Sequence, residues 1–158
     1  MGTLQPFYFQ IVLNLHQNHT TMNIIGKVSS AEALQLAAHV VKEAANAGKS
    51  VVVAIAGPEG ELITFIRMDE VNAASGIIAP NKAYTAARQR KLTREVGKKM
   101  KDENISPAYW GDDRITGFGG GVPILQDGKV IGGIGVSGLS SLEDEELAVA
   151  AIKAVYGQ

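Results

Sequence analysis

Few side chains in this chain have the type and spacing for chemistry. It has three histidines, and His16 and His19 stand in a polar run near its start, so a histidine-based catalytic group would have to use His39. The sequence sets no nucleophilic serine beside it. Ser137-Gly138 closes a strand-like run and could expose a hydroxyl, though a turn serine accounts for it as well. Asp112 and Asp113 are adjacent, so they do not obviously face one cleft as an acid–base pair must. Cysteine is absent, which excludes disulfides, thiol nucleophiles, iron–sulfur clusters and cysteine-based zinc sites. The spacings G-x-x-x-x-G-K-S/T, G-x-S-x-G and H-E-x-x-H do not occur. The glycine loop 117–121 neither follows a strand nor opens a helix, so it is not a dinucleotide fingerprint. Between residues 88 and 101, seven cations (Arg88, Arg90, Lys91, Arg94, Lys98, Lys99, Lys101) meet one acid, Glu95. That is a solvated helix face or an anion-attracting rim. Little aromatic material is interleaved for stacking on bases, and a net charge of −1 argues against a dedicated nucleic-acid binder. With no visible nucleophile–base pair, binding or accessory work is favoured over catalysis.

These residues need elements to position them. The 158 residues suit one domain. Residues 1–26 contain no Asp, Glu, Lys or Arg. The apolar run Phe7–Leu15 lacks the basic flank and cleavage pattern of a signal peptide, and it is too short to span a bilayer. Residues 1–21 therefore read as a leader outside a single core domain, 22–158, and a cytoplasmic chain with no membrane partner is expected. Ser29-Ser30-Ala31-Glu32 is a capping box. It opens a helix to about Ala47 whose apolar face is read as Leu34, Ala37, Ala38, Val41, Ala44 and Ala45, with His39 nearly opposite. Ser50–Ala56 is a doubly covered strand, Gly57-Pro58-Glu59-Gly60 a turn and Leu62–Met68 its hairpin partner. Residues 73–90 read as mostly helical, with Pro80 breaking the run into two pieces or starting a new helix, and a further helix runs from Thr93 to about Glu103. A long loop spans 104–121. Asp127-Gly128 joins a second hairpin through a type I′ turn. Its return strand holds Gly132, Gly133 and Gly135, which implies that a backbone, a helix or a flat ligand packs very close. Ser140–Glu143 is a second capping box, and the acids that follow it suit a helix N-terminus. Helices alternating with hairpins predict an α+β sandwich around an antiparallel sheet.

Five short motifs occur in series: Arg67-Met68-Asp69, Asn81–Ala86, Gly120–Ile124, Ile131–Gly138 and Asp144-Glu145. Over residues 28–156 this succession resembles the GlcG/HbpS-like family, which includes the C-terminal domain of PduO-type cobalamin adenosyltransferases. The resemblance implies a profilin-like fold, a five-stranded antiparallel sheet between helices, and assembly into homo-oligomers. It implies haem or a related tetrapyrrole as a small-molecule ligand, with no metal other than haem iron. Haem degradation or work on a small carboxylate or aldehyde of glycolate or diol metabolism is the alternative; a structural accessory role with no ligand is another. Haem is a flat apolar dianion that wants an apolar slot, cations for its propionates and an axial donor. Arg67, Lys82 and Arg88 are the expected cations. His39, Tyr84 or Met68 is the axial donor, with His39 the first choice, and Gly120 and Gly121 let backbone approach the ring. The competing reading gives Lys82-Ala83 and Gly132-Gly133 to helix–sheet packing and makes Arg67 and Asp69 an ion pair.

Overall fold

The structure, a computed structural model, describes residues 24–157; residues 1–23, which hold the expected leader with His16 and His19, and Gln158 lie outside the described residues. The elements are α1 (Ser30–Asn46), β1 (Val52–Ala56), β2 (Leu62–Arg67), α2 (Ser75–Gln89), α3 (Thr93–Asp102), a 3-10 turn (Pro107–Trp110), β3 (Gly121–Gln126), β4 (Lys129–Ser137) and α4 (Ser141–Tyr156). Two hairpins, β1–β2 and β3–β4, join through antiparallel β1–β4 pairing to give the order β2-β1-β4-β3. The sheet therefore has four strands among the described residues, not the five expected. The extended segment before α1 reaches β4 through a single backbone bond, from the Val28 N–H to the Ile131 carbonyl at 3.0 Å, and one bond is no ladder. At the β3 edge, Pro123 lacks an N–H to offer to another strand.

Period-2 alternation sends β1 and β4 side chains to two different layers. Val51, Val53, Ile55, Ile134 and Val136 join Leu36, Val40, Ala148 and Ile152 in a core under α1 and α4. Val52, Ala54 and Ala56 face Ala79 and Ala83 of α2 on the other side. Helices thus cover both faces, as expected. The glycines of β4 admit α2: a Cβ on Gly135 would lie 2.5 Å from the Ala83 nitrogen, and one on Gly133 would lie 2.8 Å from the Ala87 nitrogen. A helix, rather than a flat ligand, is what packs against this strand.

Both capping boxes form, at Ser29/Glu32 and Ser140/Glu143. Asp127 and Gly128 have φ of 50° and 73°, as a type I′ turn requires. Two expectations are corrected. The buried face of α1 is Ala33, Leu36, Ala37, Val40 and Ala44, while Leu34 is exposed. Apolar residues surround so much of this helix that spacing alone does not set its rotation; the sheet takes the larger Leu36 and Val40. His39 consequently sits half-buried at the flank of the packed face. Pro80 does not break α2, which runs unbroken from Ser75 to Gln89. The lost N–H bond is outweighed where Ala79, Ala83 and Ala87 lie fully buried on the glycine strand.

Candidate functional site

Lys82 lies in the middle of α2 and is 2% exposed. Its ammonium donates to the Val136 carbonyl at 2.7 Å and to Asp144 Oδ2 at 2.9 Å. Asp144 Oδ1 accepts from the Leu139 N–H at 3.1 Å. Burial pushes the Asp144 carboxyl above its ordinary range, against the pull of Lys82 and the Leu139 amide. This buried pair ties α2 to the first turn of α4. Asp144 is thus more than a charge suited to a helix dipole. Gly120, at φ 109°, makes room for the pair: a Cβ there would meet Asp144 Cβ at 2.7 Å and Lys82 Nζ at 2.8 Å. A Cβ on Gly121 would meet the Lys82 carbonyl at 2.6 Å. Lys82, Gly120 and Gly121 come together as a packed junction.

Tyr84 is also buried, half a turn further along α2. Its hydroxyl donates to Asp112 and accepts from Arg114 Nη2 at 2.8 Å, and the Arg114 guanidinium lies 3.8 Å from the ring centroid. Burial and the Asp112 carboxylate raise the Tyr84 pKa, and the bond from Tyr84 lowers that of Asp112. Thr85 accepts from the Thr116 N–H at 3.0 Å. Together these bonds pin the 112–116 loop onto α2. Arg88 stacks more loosely on Tyr84, at 5.3 Å, and donates to the Glu59 carbonyl at 3.2 Å.

The remaining expected residues stand apart. Arg67, at the end of β2, donates to the Val71 carbonyl at 3.1 Å, and no ion pair with Asp69 occurs among the described residues. Met68 packs on the core under α1 and α4. His39 belongs to α1, which covers the sheet face opposite α2. One pocket therefore does not gather His39, Met68, Lys82 and Tyr84: two sit in packed polar networks, and the sheet divides the others from them.

An apolar groove of about 510 Å³ opens instead where the 104–118 segment folds back on α3. Met100, Ile105, Pro107, Ile115 and Phe118 supply its walls, and Lys101 stands at its margin. Gly97 and Gly117 press backbone to backbone beneath it; a Cβ on Gly117 would lie 3.3 Å from the Met100 sulfur. The basic stretch above is partly neutralised, by Lys98–Asp102, by Lys99–Glu103 at 3.9 Å and by Arg94–Glu145 at 3.3 Å. Lys101 has no ion-pair partner among the described residues. The sequence signals for this groove were the cationic run at 88–101 and a phenylalanine set among loop glycines. Nothing in linear order tied Met100 to Ile115.

Helices on both faces of a small antiparallel sheet, with α2 seated on a glycine strand, define an α+β domain of one particular build. Residues 28–153 match the family described as "Haem degrading protein HbpS-like", and the chain belongs to that family. It is 33% identical over 135 residues to an uncharacterised 15.0 kDa protein of the dhaT-dhaS intergenic region in Citrobacter freundii, a match covering 81% of this chain and 92% of that one. Among solved structures it resembles Klebsiella pneumoniae protein ORFY, with a TM-score of 0.79 and 30% identity, covering 87% of this chain and 97% of that one. It also resembles PduOC, solved as a haem complex, with a TM-score of 0.75 and 29% identity, covering 82% and 96%. No helix among the described residues is long and apolar enough to cross a membrane.

Proposed function

We propose that this chain binds haem or a related tetrapyrrole, as a homo-oligomer, and that the groove beneath α3 receives the ring. The observation that carries the reading is the groove itself. At about 510 Å³ it falls within the roughly 300–1,000 Å³ of small-molecule sites. Its apolar walls suit a macrocycle, Lys101 suits a propionate, and the Met100 thioether is a soft donor of the kind that ligates haem iron. The residues present therefore fit the group. A haem held there would supply a redox-active iron; the chain's own part is to exclude water from one ring face and to pair one carboxylate through Lys101. The haem complex of the related PduOC supports the ligand class. The homo-oligomer part of the reading comes from the family resemblance, which implies such assembly.

Hemin titration followed at the Soret band tests this. A saturable shift is expected, weakened about tenfold or more in Lys101→Glu, altered in position in Met100→Ala and retained in His39→Ala. Loss of the shift in His39→Ala alone would move the ligand to α1 and end the groove assignment. No saturable shift in the wild type would end the tetrapyrrole reading. Time-dependent bleaching with a reductant would turn the reading toward haem degradation. Light scattering on the eluted protein checks the oligomer: a monomer at micromolar concentration refutes that part.

A further inference from the structure

A second cavity lies on the far side of Phe118 from the groove. It has a volume of about 340 Å³ and opens between the start of α2, the end of β4 and the first turn of α4. The Lys82–Asp144 pair forms part of its lining. Ser75 and Ser137 also line it, and each is only 5% exposed. Neither hydroxyl has a hydrogen-bond partner among the described residues. Each serine is more than nine-tenths buried, and what it leaves open at this cavity is its hydroxyl, which is not among the sealed, unpartnered atoms of the described residues. Ser137 pairs with Val52 across the sheet, which puts it on the α2 side, and Ser75 is the first residue of α2. Both therefore belong to one wall by construction. Ile78 and Phe118 give the cavity its apolar surface.

The charges around it cancel. Asp144 is held by Lys82, Glu143 by Lys49 and Glu145 by Arg94. No excess side-chain charge remains to select an ion, and because the N-termini of α2 and α4 border the cavity, a small anion is the competing occupant that the test must reject. A hydroxyl both donates and accepts, so the natural complement of two unengaged serine hydroxyls is another set of hydroxyls. A carboxylate could only accept, and so would use half of what each hydroxyl offers.

We propose that this cavity is a binding site, separate from the tetrapyrrole groove, for a small uncharged polyol of about three to six carbons, the size suited to a cavity at the small end of the ligand-site range. Its hydroxyls bond Ser75 and Ser137, and its carbon face lies on Ile78 and Phe118.

The test is amide NMR of the full chain titrated with glycerol and with erythritol. Sodium acetate and methylammonium chloride serve as charged controls of similar bulk. Saturable shifts confined to residues 72–78 and 136–141 are expected with the polyols, tighter with erythritol, and absent with both ions. The double variant Ser75→Ala/Ser137→Ala should lose saturation by at least tenfold in affinity while keeping its melting temperature and its hemin response. Shifts that rise linearly without saturation, acetate binding as well as erythritol, or an unchanged affinity in the double variant would each overturn the proposal. Because hemin is read at the Soret band and polyol at these amides, failure of either site leaves the other measurable.

Discussion

Replacing Lys82 with methionine tests the central junction of the fold. The substitution keeps most of the buried stem but removes the charge that faces Asp144 at 2.9 Å and the donor to Val136 at 2.7 Å. Asp144 is then a buried carboxyl at the cavity wall with only the Leu139 amide for support. Without its cation the carboxyl is pushed further up, and leaving a buried charge unpaired costs roughly 3–5 kcal/mol once the solvent pH exceeds the raised value. The abandoned Val136 carbonyl adds about 1 kcal/mol. The sign follows from proton uptake. With a raised pKa in the folded state, the folded chain holds the Asp144 proton after the unfolded chain has released its own, so stability falls as pH rises through that window. Urea unfolding should therefore show Lys82→Met about 4–5 kcal/mol less stable than wild type at pH 7.5 and within about 1 kcal/mol of it near pH 4. Adding Asp144→Asn, which keeps an acceptor for Leu139, should recover most of the loss at pH 7.5 and flatten the profile. A loss below about 1 kcal/mol at pH 7.5, or an equal loss at both pH values, would refute the reasoning.

Gly135→Ala should cost about 3 kcal/mol or more, because the new methyl meets α2 backbone that can only yield by lifting the helix; Gly76→Ala, in the same helix with open space around it, should instead stabilise by about 0.5–1 kcal/mol, and thermal melts of the two separate packing from propensity. Lys49, with help from the Ser140 cap, holds Glu143 down at about 2, so its contribution is present above pH 4.5 and is lost as pH falls toward 2; Glu143→Gln should give a lower Tm at pH 7 and a flatter acid limb. Burial pushes Tyr156 up to about 12, and its hydroxyl has no partner among the described residues. Tyr156→Phe should therefore be at least as stable at pH 7, by up to about 1 kcal/mol, and should lose less stability than wild type between pH 10 and pH 12, where unfolding releases the phenolic proton. A Phe variant that melts lower at pH 7 would mean the hydroxyl is satisfied.

Much of the architecture was legible because its signals are local. Ser29, Ser140 and Asp127-Gly128 mark element ends through bonds within a few residues, and the structure has all three. Gly133 and Gly135 announced a close approach, though not that α2 makes it. The rotation of α1 was not legible, since Leu34 and Leu36 are equally apolar and only the sheet distinguishes them. Whether a polar side chain stays open to a ligand is hard to read for a related reason. Tyr84 and Lys82 have the chemistry to meet a ligand, but Asp112, Arg114 and Asp144, at least 28 positions away, already engage them.

What the sequence by itself determined is the succession of helices and hairpins, the antiparallel pairing within each hairpin and the family motifs in order, because turn chemistry, caps and side-chain period act over a few residues. Tertiary structure alone decided which polar groups are used up in packing and which stay open. Lys82 and Asp144 are 62 positions apart, and the two walls of the groove meet only when 104–118 folds onto α3. A side chain's availability depends on what reaches it through space, and linear order carries no record of that.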